Sequence, residues 1–236
     1  MKRAPLYLLA LAVVIGFLAL GRWQLHRAAY KEQLIAQSRQ VLDRRVPVAL
    51  ASASDLDATD FVWVAGQGHF LPRPALLLDD QIRDGQAGVR VYRLFQPDAA
   101  RRALLVDLGW RPLPSHRDLP HEPMLDGRYL LQGLLAPPPA AGFALGPADQ
   151  LQPDGSHLLT RIDIGALAKS LALPGGLGPR ALRLDPALKL GYPRDLEVLV
   201  NTLPPSRHRG YAVQWFAMAA AVAVIALYFA FRRTPP

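Results

Sequence analysis

The chain has 236 residues, 51% of them hydrophobic, and a formal net charge of +8 at pH 7. It contains no cysteine, which excludes disulfide bonds, thiolate catalysis, iron–sulfur ligation and thiolate metal sites. The arginines are scattered rather than clustered on a basic face, so no nucleic-acid partner is predicted. A basic domain of this kind is more typical of a surface that lies over anionic membrane lipid.

The first predicted element is an apolar run without charged residues from Ala4 to Gly21. At about 1.5 Å per helical residue, this run just crosses the hydrocarbon core of a bilayer. A cleaved secretory signal is the alternative, but the run is long for a signal core and no polar loop follows it. Helical spacing of apolar residues instead continues from Trp23 to Gln40. We therefore predict a transmembrane helix at residues 4–22, followed by a continuing helix.

The middle of the sequence alternates short apolar runs with turn signals, a pattern that is typical of antiparallel strands. Strands are predicted at Phe61–Val64, Ala75–Leu78, Val89–Phe95, Ala103–Trp110, Tyr129–Leu135, His157–Ile162 and Glu197–Asn201. Asp163 is a favourable cap for a short helix at Ile164–Leu173. Residues 23–205 are therefore predicted to form a mainly β domain with a few helices.

A second charge-free run, from Tyr211 to Phe231, is long enough to cross a bilayer with some tilt. Two crossings place both ends of the chain on one side, and the short basic tails suit the cytoplasm. The predicted fold class is a membrane protein with two transmembrane helices, at 4–22 and 211–231, that flank a mainly β (α+β) extracytoplasmic domain. The predicted location is the cell (inner) membrane.

Several polar segments of the middle domain are better explained by turns and loops than by functional sites. Gly66-Gln67-Gly68 lacks the strand–helix context of a phosphate loop, and no G-x-S-x-G elbow supports a serine hydrolase. Acidic residues before Gly85 suit a turn. A cluster of ligand-type side chains comprises His116, Asp118, His121 and Glu122. Prolines interrupt this cluster, which favours a solvated loop over a metal site, and we predict no catalytic residue and no enzyme.

The border of the second apolar run carries a candidate ligand. Pro204 and Pro205 oppose a helix before Ser206, a favourable N-cap, so His208 is predicted in the first helical turn. A helix N-terminus disfavours imidazolium, which leaves His208 neutral and able to bind a metal. At helical spacing the same stripe carries Tyr211, Ala212, Trp215 and Ala219. These side chains suit a flat apolar macrocycle, although an interfacial histidine with aromatic neighbours explains the pattern as well.

Two motifs at the membrane borders resemble the surfeit-locus family of cytochrome c oxidase assembly proteins. They are Gly21-x-Trp23-Gln24-x-x-Arg27-x-x-x-Lys31 and His208-x-x-Tyr211-Ala212-x-Gln214-Trp215-Phe216. Between them, Leu77-Leu78-Asp79, Arg83-Asp84-Gly85 and Leu105–Pro112 follow the family's order of segments. The last segment departs from the family at Asp107 and Leu108, where Asn and Arg are usual.

The resemblance implies an assembly factor for haem-copper cytochrome c oxidase that binds haem a and assists its insertion into the catalytic subunit. The implied partners are that subunit, the enzymes of haem a synthesis and membrane lipid. The implied haem-binding residues are His208, as the axial ligand of the iron, with Tyr211, Trp215, Gln214, Trp23 and Gln24. A membrane-anchored scaffold that stabilises assembly intermediates without a cofactor is the alternative.

The two borders lie at matching membrane depths, because Trp23 and Gln24 follow the first run directly and Gln214 and Trp215 lie at the start of the second. We expect the borders to touch, with the two amides hydrogen-bonded to each other or to backbone. His26, one turn from Trp23, is then a candidate second ligand of the haem iron.

The topology yields a prediction. A reporter fused after Pro236 is expected to stay cytoplasmic, whereas a reporter within Ala51–Asp60 is expected to be exported. Paired fusions to alkaline phosphatase and to a fluorescent protein that matures only in the cytoplasm measure this. A mature protein whose amino-terminal sequence began near Arg22 would contradict the anchor at residues 4–22.

Overall fold

The computed structural model describes residues 4–57, 59–114, 116, 118–139, 146–199 and 202–232. The helices are α1, Ala4–Arg44; α2, Leu50–Asp55; α3, Ile164–Ser170; and α4, Pro205–Phe231. The strands are β1, Val48–Ala49; β2, Val62–Phe70; β3, Leu76–Arg83; β4, Gln86–Pro97; β5, Ala103–Pro112; β6, Arg128–Ala136; β7, Asp149–Leu151; β8, His157–Leu159; and β9, Leu177–Leu184. The chain divides into two compact units, the end unit, Met1–Ala36 with Thr202–Pro236, and the middle unit, Gln37–Asn201.

Among the described residues, α1 and α4 are the helices long and apolar enough to cross a membrane. In their most apolar stretches only 6% and 11% of the residues are buried within the chain, whereas the core helix of a soluble protein is mostly buried. This exposure suits membrane anchoring. The predicted continuation of α1 is confirmed, and α1 ends where Arg45 takes a positive φ of 45°, shortly before Pro47. The predicted limits of the crossings, at residues 22 and 211, stay predictions.

The middle unit is built on a nine-stranded sheet in the order β1-β2-β6-β9-β5-β4-β3-β8-β7, counted over the described ranges. Because β4 also pairs with β2, the strands β2, β6, β9, β5 and β4 close into a barrel. β4 is long enough for both roles: Gly88–Phe95 pair with β5, and its last residues, Phe95–Pro97, pair with β2. Most neighbours are antiparallel, but β1–β2, β3–β8 and β5–β9 are parallel.

Most of the predicted strands are confirmed. The runs that begin at Phe61, Ala75, Val89, Ala103, Tyr129 and His157 contribute to β2, β3, β4, β5, β6 and β8. The strand predicted at Glu197–Asn201 is wrong for residues 197–199, which form coil and a turn, and residues 200 and 201 lie outside the described part of the chain. The prediction misses β9, because Gly178 and Pro179 are residues that normally interrupt a strand.

The short helix and the hairpin turn follow their local sequence signals. Oδ1 of Asp163 accepts a hydrogen bond from the backbone N–H of Ala166 at 2.9 Å, which confirms the predicted cap of α3. The helix ends at Ser170, before the predicted Leu173. Asp84 and Gly85 form the turn between β3 and β4 with φ values of 50° and 77°, as a two-residue hairpin turn requires.

Strands β4 and β5 are covered on both faces, so their sequences are apolar at consecutive rather than alternate positions. On one face of β5, Leu104, Val106 and Leu108 belong to the core inside the barrel. On the other face, Leu105 packs in a second core that includes Leu167 of α3. α3 and β8 thus complete an apolar layer outside the barrel.

A buried ion pair shares this outer layer with Leu105. Oδ2 of Asp107 accepts a hydrogen bond from Nη1 of Arg90 at 2.7 Å, and Nε of Arg183 lies 3.8 Å away. The side chains of Arg90 and Asp107 are only 4% and 3% exposed. Burial alone would lower the pKa of Arg90, but the Asp107 carboxylate raises it above its ordinary value. The pair joins β4 to β5, and Arg183 extends it to β9.

The half-buried Arg194 holds a loop through backbone carbonyls. Nη1 of Arg194 donates to the carbonyls of Leu190 and Tyr192, and Nη2 donates to those of Asp185 and Leu188. One side chain therefore fixes the loop that follows β9. Part of the positive charge of the middle unit is therefore used inside the fold.

Removal of the Asp107 carboxylate is expected to destabilise the middle unit. Asp107→Ala leaves Arg90 charged and buried without its partner, a change that typically costs about 3–5 kcal/mol. The matched control is Asp98→Ala, because Asp98 pairs with Arg128 at an exposed position. Urea unfolding of the full chain in detergent, followed by tryptophan fluorescence, measures both variants. Equal losses of stability would contradict the role of the buried pair.

Candidate functional site

The candidate site lies in the end unit, where α1 and α4 pack against each other in opposite directions. The rings of Phe17 and Trp215 lie 5.5 Å apart between centroids. Farther along α1, Nζ of Lys31 donates a hydrogen bond to the carbonyl of Leu203, just before α4. At Gly21 an added Cβ would lie 2.5 Å from the ring of Phe216, so the missing side chain allows the two helices to approach closely.

The structure corrects the predicted start of α4. The helix begins at Pro205, and Pro204 occupies the capping position without a side-chain hydrogen bond, so the prediction of Ser206 as the N-cap is wrong. The physical reason is that the first helical N–H groups have no partner within the helix, and a proline there loses nothing. His208 still lies in the first turn and is 7% exposed.

His208 of α4 is hydrogen-bonded to Gln24 of α1. Nδ1 of His208 lies 2.7 Å from Oε1 of Gln24. An amide oxygen can only accept, so Nδ1 donates, and the neutral imidazole then carries its lone pair on Nε2. Nε2 is buried and has no hydrogen-bond partner among the residues that the structure describes. The expected contact of Gln24 with Gln214 is therefore wrong: the partner of Gln24 is His208, and Gln214 is exposed.

Two cationic side chains, Lys31 and Arg27, lie near His208. His208 itself lies before the charge-free run 211–231. Burial lowers the pKa of His208, and the positive charges of Lys31 and Arg27 lower it further. Burial and the two cations thus favour the neutral imidazole, in the same direction as the helix terminus. Neither cation is predicted from the sequence as part of the site, although their spacing of three and seven residues from Gln24 places all three on one helix face.

The two sides of the helix pair differ. On one side, Oε1 of Glu32 and Nη2 of Arg209 form an ion pair at 2.6 Å. Successive helical residues are turned by about 100°, so residues roughly half a turn from this pair project on the opposite side. That side, which we call the open face, carries Trp23, Arg27, Tyr211 and Gln214.

The predicted haem-binding residues divide between the open face and the contact between the helices. Trp23 and Tyr211 on the open face are 53% and 40% exposed. Gln24, His208 and Trp215 line the contact between the helices, which we call the seam. The site thus combines an enclosed nitrogen atom in the seam with exposed aromatic rings beside it.

His26 lies apart from this arrangement. It is exposed, and its Nε2 lies 3.4 Å from Nε of Arg22. Two helical residues correspond to about 200° of rotation, so His26 is on the far side of α1 from Gln24. The structure does not bring His26 to His208.

The fold separates the members of the predicted cluster of ligand-type residues that includes His116, Asp118 and Glu122. His116 pairs with Asp118 at 2.8 Å on the surface, whereas the carboxylate of Glu122 is 4% exposed and binds Arg111 at 2.7 Å and the hydroxyl of Tyr192. Within the described ranges, no group of three or more His, Asp or Glu residues is placed to hold a metal ion. Glu122 is thus a structural ion-pair partner, and the sequence carries no signal for this because Tyr192 lies far along the chain.

Comparison with models of known protein families gives a match over most of the chain. The model of the SURF1 family matches residues 11–220, which include most of α1, the whole middle unit and the seam residues of α4. No curated protein matches the chain.

Close packing at Gly21 is expected to be necessary for the seam. Gly21→Leu places atoms inside the ring of Phe216 and should force the helices apart, whereas Gly16→Leu meets open space and serves as the matched control. The chain has no native cysteine, so Gln24→Cys with His208→Cys gives a clean cross-linking pair. Cross-linking by a short bifunctional maleimide should be efficient in this background, reduced by Gly21→Leu and unchanged by Gly16→Leu. The same high yield in all three proteins would contradict the need for glycine at position 21, whereas no cross-link in any of them would show that the helices do not meet at this depth.

Proposed function

This chain belongs to the SURF1 family, the surfeit-locus family of cytochrome c oxidase assembly proteins, and we propose that it serves oxidase assembly by binding haem a through His208. Family membership implies a role in assembling the oxidase, with the oxidase as a partner. Members of the family are assembly factors rather than catalysts. The finer proposal, a haem carrier, depends on the chemistry of the seam.

The observation that carries the proposal is the state of the His208 ring. Metal-binding histidines typically donate their other ring N–H to a fixed acceptor, which sets the tautomer and the orientation of the ring. Gln24 is such an acceptor for Nδ1. A buried nitrogen atom without a partner costs about 1–3 kcal/mol, a cost that ligation would remove. Haem a would supply an iron ion that accepts the Nε2 lone pair.

The open face suits the apolar body of a tetrapyrrole. Trp23 and Tyr211 are exposed aromatic side chains at the border of the apolar runs, where flat amphipathic groups pack well. The buried Ala212, one turn after His208, leaves room in the seam. Since Nε2 is enclosed, local separation of α1 and α4 must precede ligation. A site of this kind suits transient binding and transfer to the catalytic subunit better than storage.

The proposal includes the surroundings of the protein. We place the middle unit on the extracytoplasmic side of the cell inner membrane, and we take the enzymes of haem a synthesis as the source of the haem. Both rest on the two membrane-capable helices and on the family's role in oxidase assembly. The domain limits 4–22, 23–205 and 211–231 belong to the same proposal.

A scaffold without a cofactor is the second candidate. Ala217, Ala220 and Ala221 are exposed on α4, and small residues allow another membrane helix to approach closely. Such a surface favours contact with an oxidase subunit. It is compatible with haem binding as well, so the haem content of the protein decides between the two candidates.

His208→Ala is expected to abolish or strongly reduce haem retention, because it removes the iron ligand while the core of the middle unit is untouched. The matched controls are His116→Ala, at an exposed loop position, and His26→Ala, on the far side of α1. Reduced-minus-oxidised spectra of the full chain, purified from cells that make haem a, measure the haem content. Equal content in the wild type and His208→Ala would remove the ligand assignment and favour the cofactor-free scaffold.

A further inference from the structure

Basic side chains gather on the membrane-distal side of the seam. Arg27 and Lys31 follow Gln24 on the same face of α1, about one and two helical turns farther from the apolar run. Arg27 is exposed, whereas Lys31 is 7% exposed and donates to the carbonyl of Leu203. The seam therefore changes from aromatic at Phe17, through amide and imidazole, to cationic at Lys31.

Within the part of the chain that the structure describes, these two cations have no anionic partner. No carboxylate of the described residues forms an ion pair with Arg27 or Lys31, and the nearest acidic residue along α1, Glu32, is paired with Arg209 on the other side. Burial lowers the pKa of Lys31, and the charge of Arg27 adds to this effect. An ammonium group that is mostly buried against a neutral carbonyl is stabilised by a nearby anion. The positive charges of Arg27 and Lys31 near His208 thus favour a ligand with negative charge.

We infer that Arg27 and Lys31 bind the carboxylate groups of the haem. This inference rests on the proposed function, because it takes the haem to be held by His208. Haem is an amphiphile with an apolar ring, a central iron ion and two carboxylates on one edge. The order along the seam, from apolar to imidazole to cationic, matches the order of those three parts. The cations therefore set the orientation, with the carboxylate edge facing away from the membrane core.

The exposed Arg27 is the first contact of an incoming carboxylate. Lys31 is released from the Leu203 carbonyl when it takes up the anion. That hydrogen bond ties α1 to the segment before α4, so its loss loosens the same end of the seam that encloses Nε2. Binding of the anionic edge is thereby coupled to access to His208.

The test compares haem with its dimethyl ester, which has the same ring and iron but no carboxylate charge. The full chain in neutral detergent is titrated with each compound, and the Soret band reports affinity. Charge-assisted hydrogen bonds of this kind correspond to an affinity loss of about 10- to 100-fold for the ester. Arg27→Gln and Lys31→Gln should weaken binding of haem but not of the ester, and Arg27→Lys should retain most of the affinity.

The matched control is Arg22→Gln, an exposed arginine on the far side of α1, which should leave both affinities unchanged. Circular dichroism shows whether each variant is folded. If Lys31→Gln is unstable, the comparison of the wild type with Arg27→Gln is sufficient for the test. Equal affinity of the wild type for haem and ester would overturn the inference while the proposed function stands. Binding of neither compound would overturn the proposed function itself.

Anionic lipid is the other source of negative charge at this position. The titrations are therefore repeated in nanodiscs of zwitterionic lipid and in nanodiscs with phosphatidylglycerol. Undiminished discrimination between haem and ester in both supports the carboxylate assignment. Loss of discrimination in phosphatidylglycerol, together with weaker lipid binding by Arg27→Gln, would assign the cations to headgroups and overturn it.

Discussion

The hydrogen bond from Nδ1 of His208 to Oε1 of Gln24 joins two helices that lie at opposite ends of the sequence. It sets the tautomer of the imidazole, and therefore which nitrogen atom carries the lone pair. The bond exists only because α1 and α4 approach closely, which the missing side chain of Gly21 allows opposite Phe216. The close approach of the helices at Gly21 and the tautomer of His208 are thus linked through the packing of α1 against α4.

The middle unit follows a different principle, in which arginine side chains connect its strands and loops. The five-stranded barrel closes because β4 reaches both β5 and β2, and consecutive apolar residues fill the layers on both sides of it. Arginine then links the elements, through carboxylates as at Asp107 or through backbone carbonyls as at Arg194. The high pI of the sequence therefore says less about the outer surface than it suggests, because part of the charge is internal.

Local patterns in the sequence predict most elements but not the contacts between them. Apolar runs and turn residues suffice for most strands, and Asp163 suffices for the start of α3, since each signal acts within a few residues. The prediction misses β9 because Gly178 and Pro179 normally interrupt a strand. The neighbouring strands of the barrel stabilise β9, and local sequence does not show them. In the end unit, helical spacing shows that His208 and Ala212 share a stripe. It does not show which residue of α1 they meet, so the sequence predicts that Gln24 binds Gln214 or backbone, whereas its partner in the structure is His208.

The hydrogen bonds from Arg194 to backbone carbonyls also have a consequence for how the loop after β9 responds to pH. A guanidinium keeps its proton throughout the pH range of living cells, and the carbonyls of Leu190, Tyr192, Asp185 and Leu188 have no proton to gain or lose. The contacts between Arg194 and these four carbonyls therefore hold the loop after β9 independently of pH.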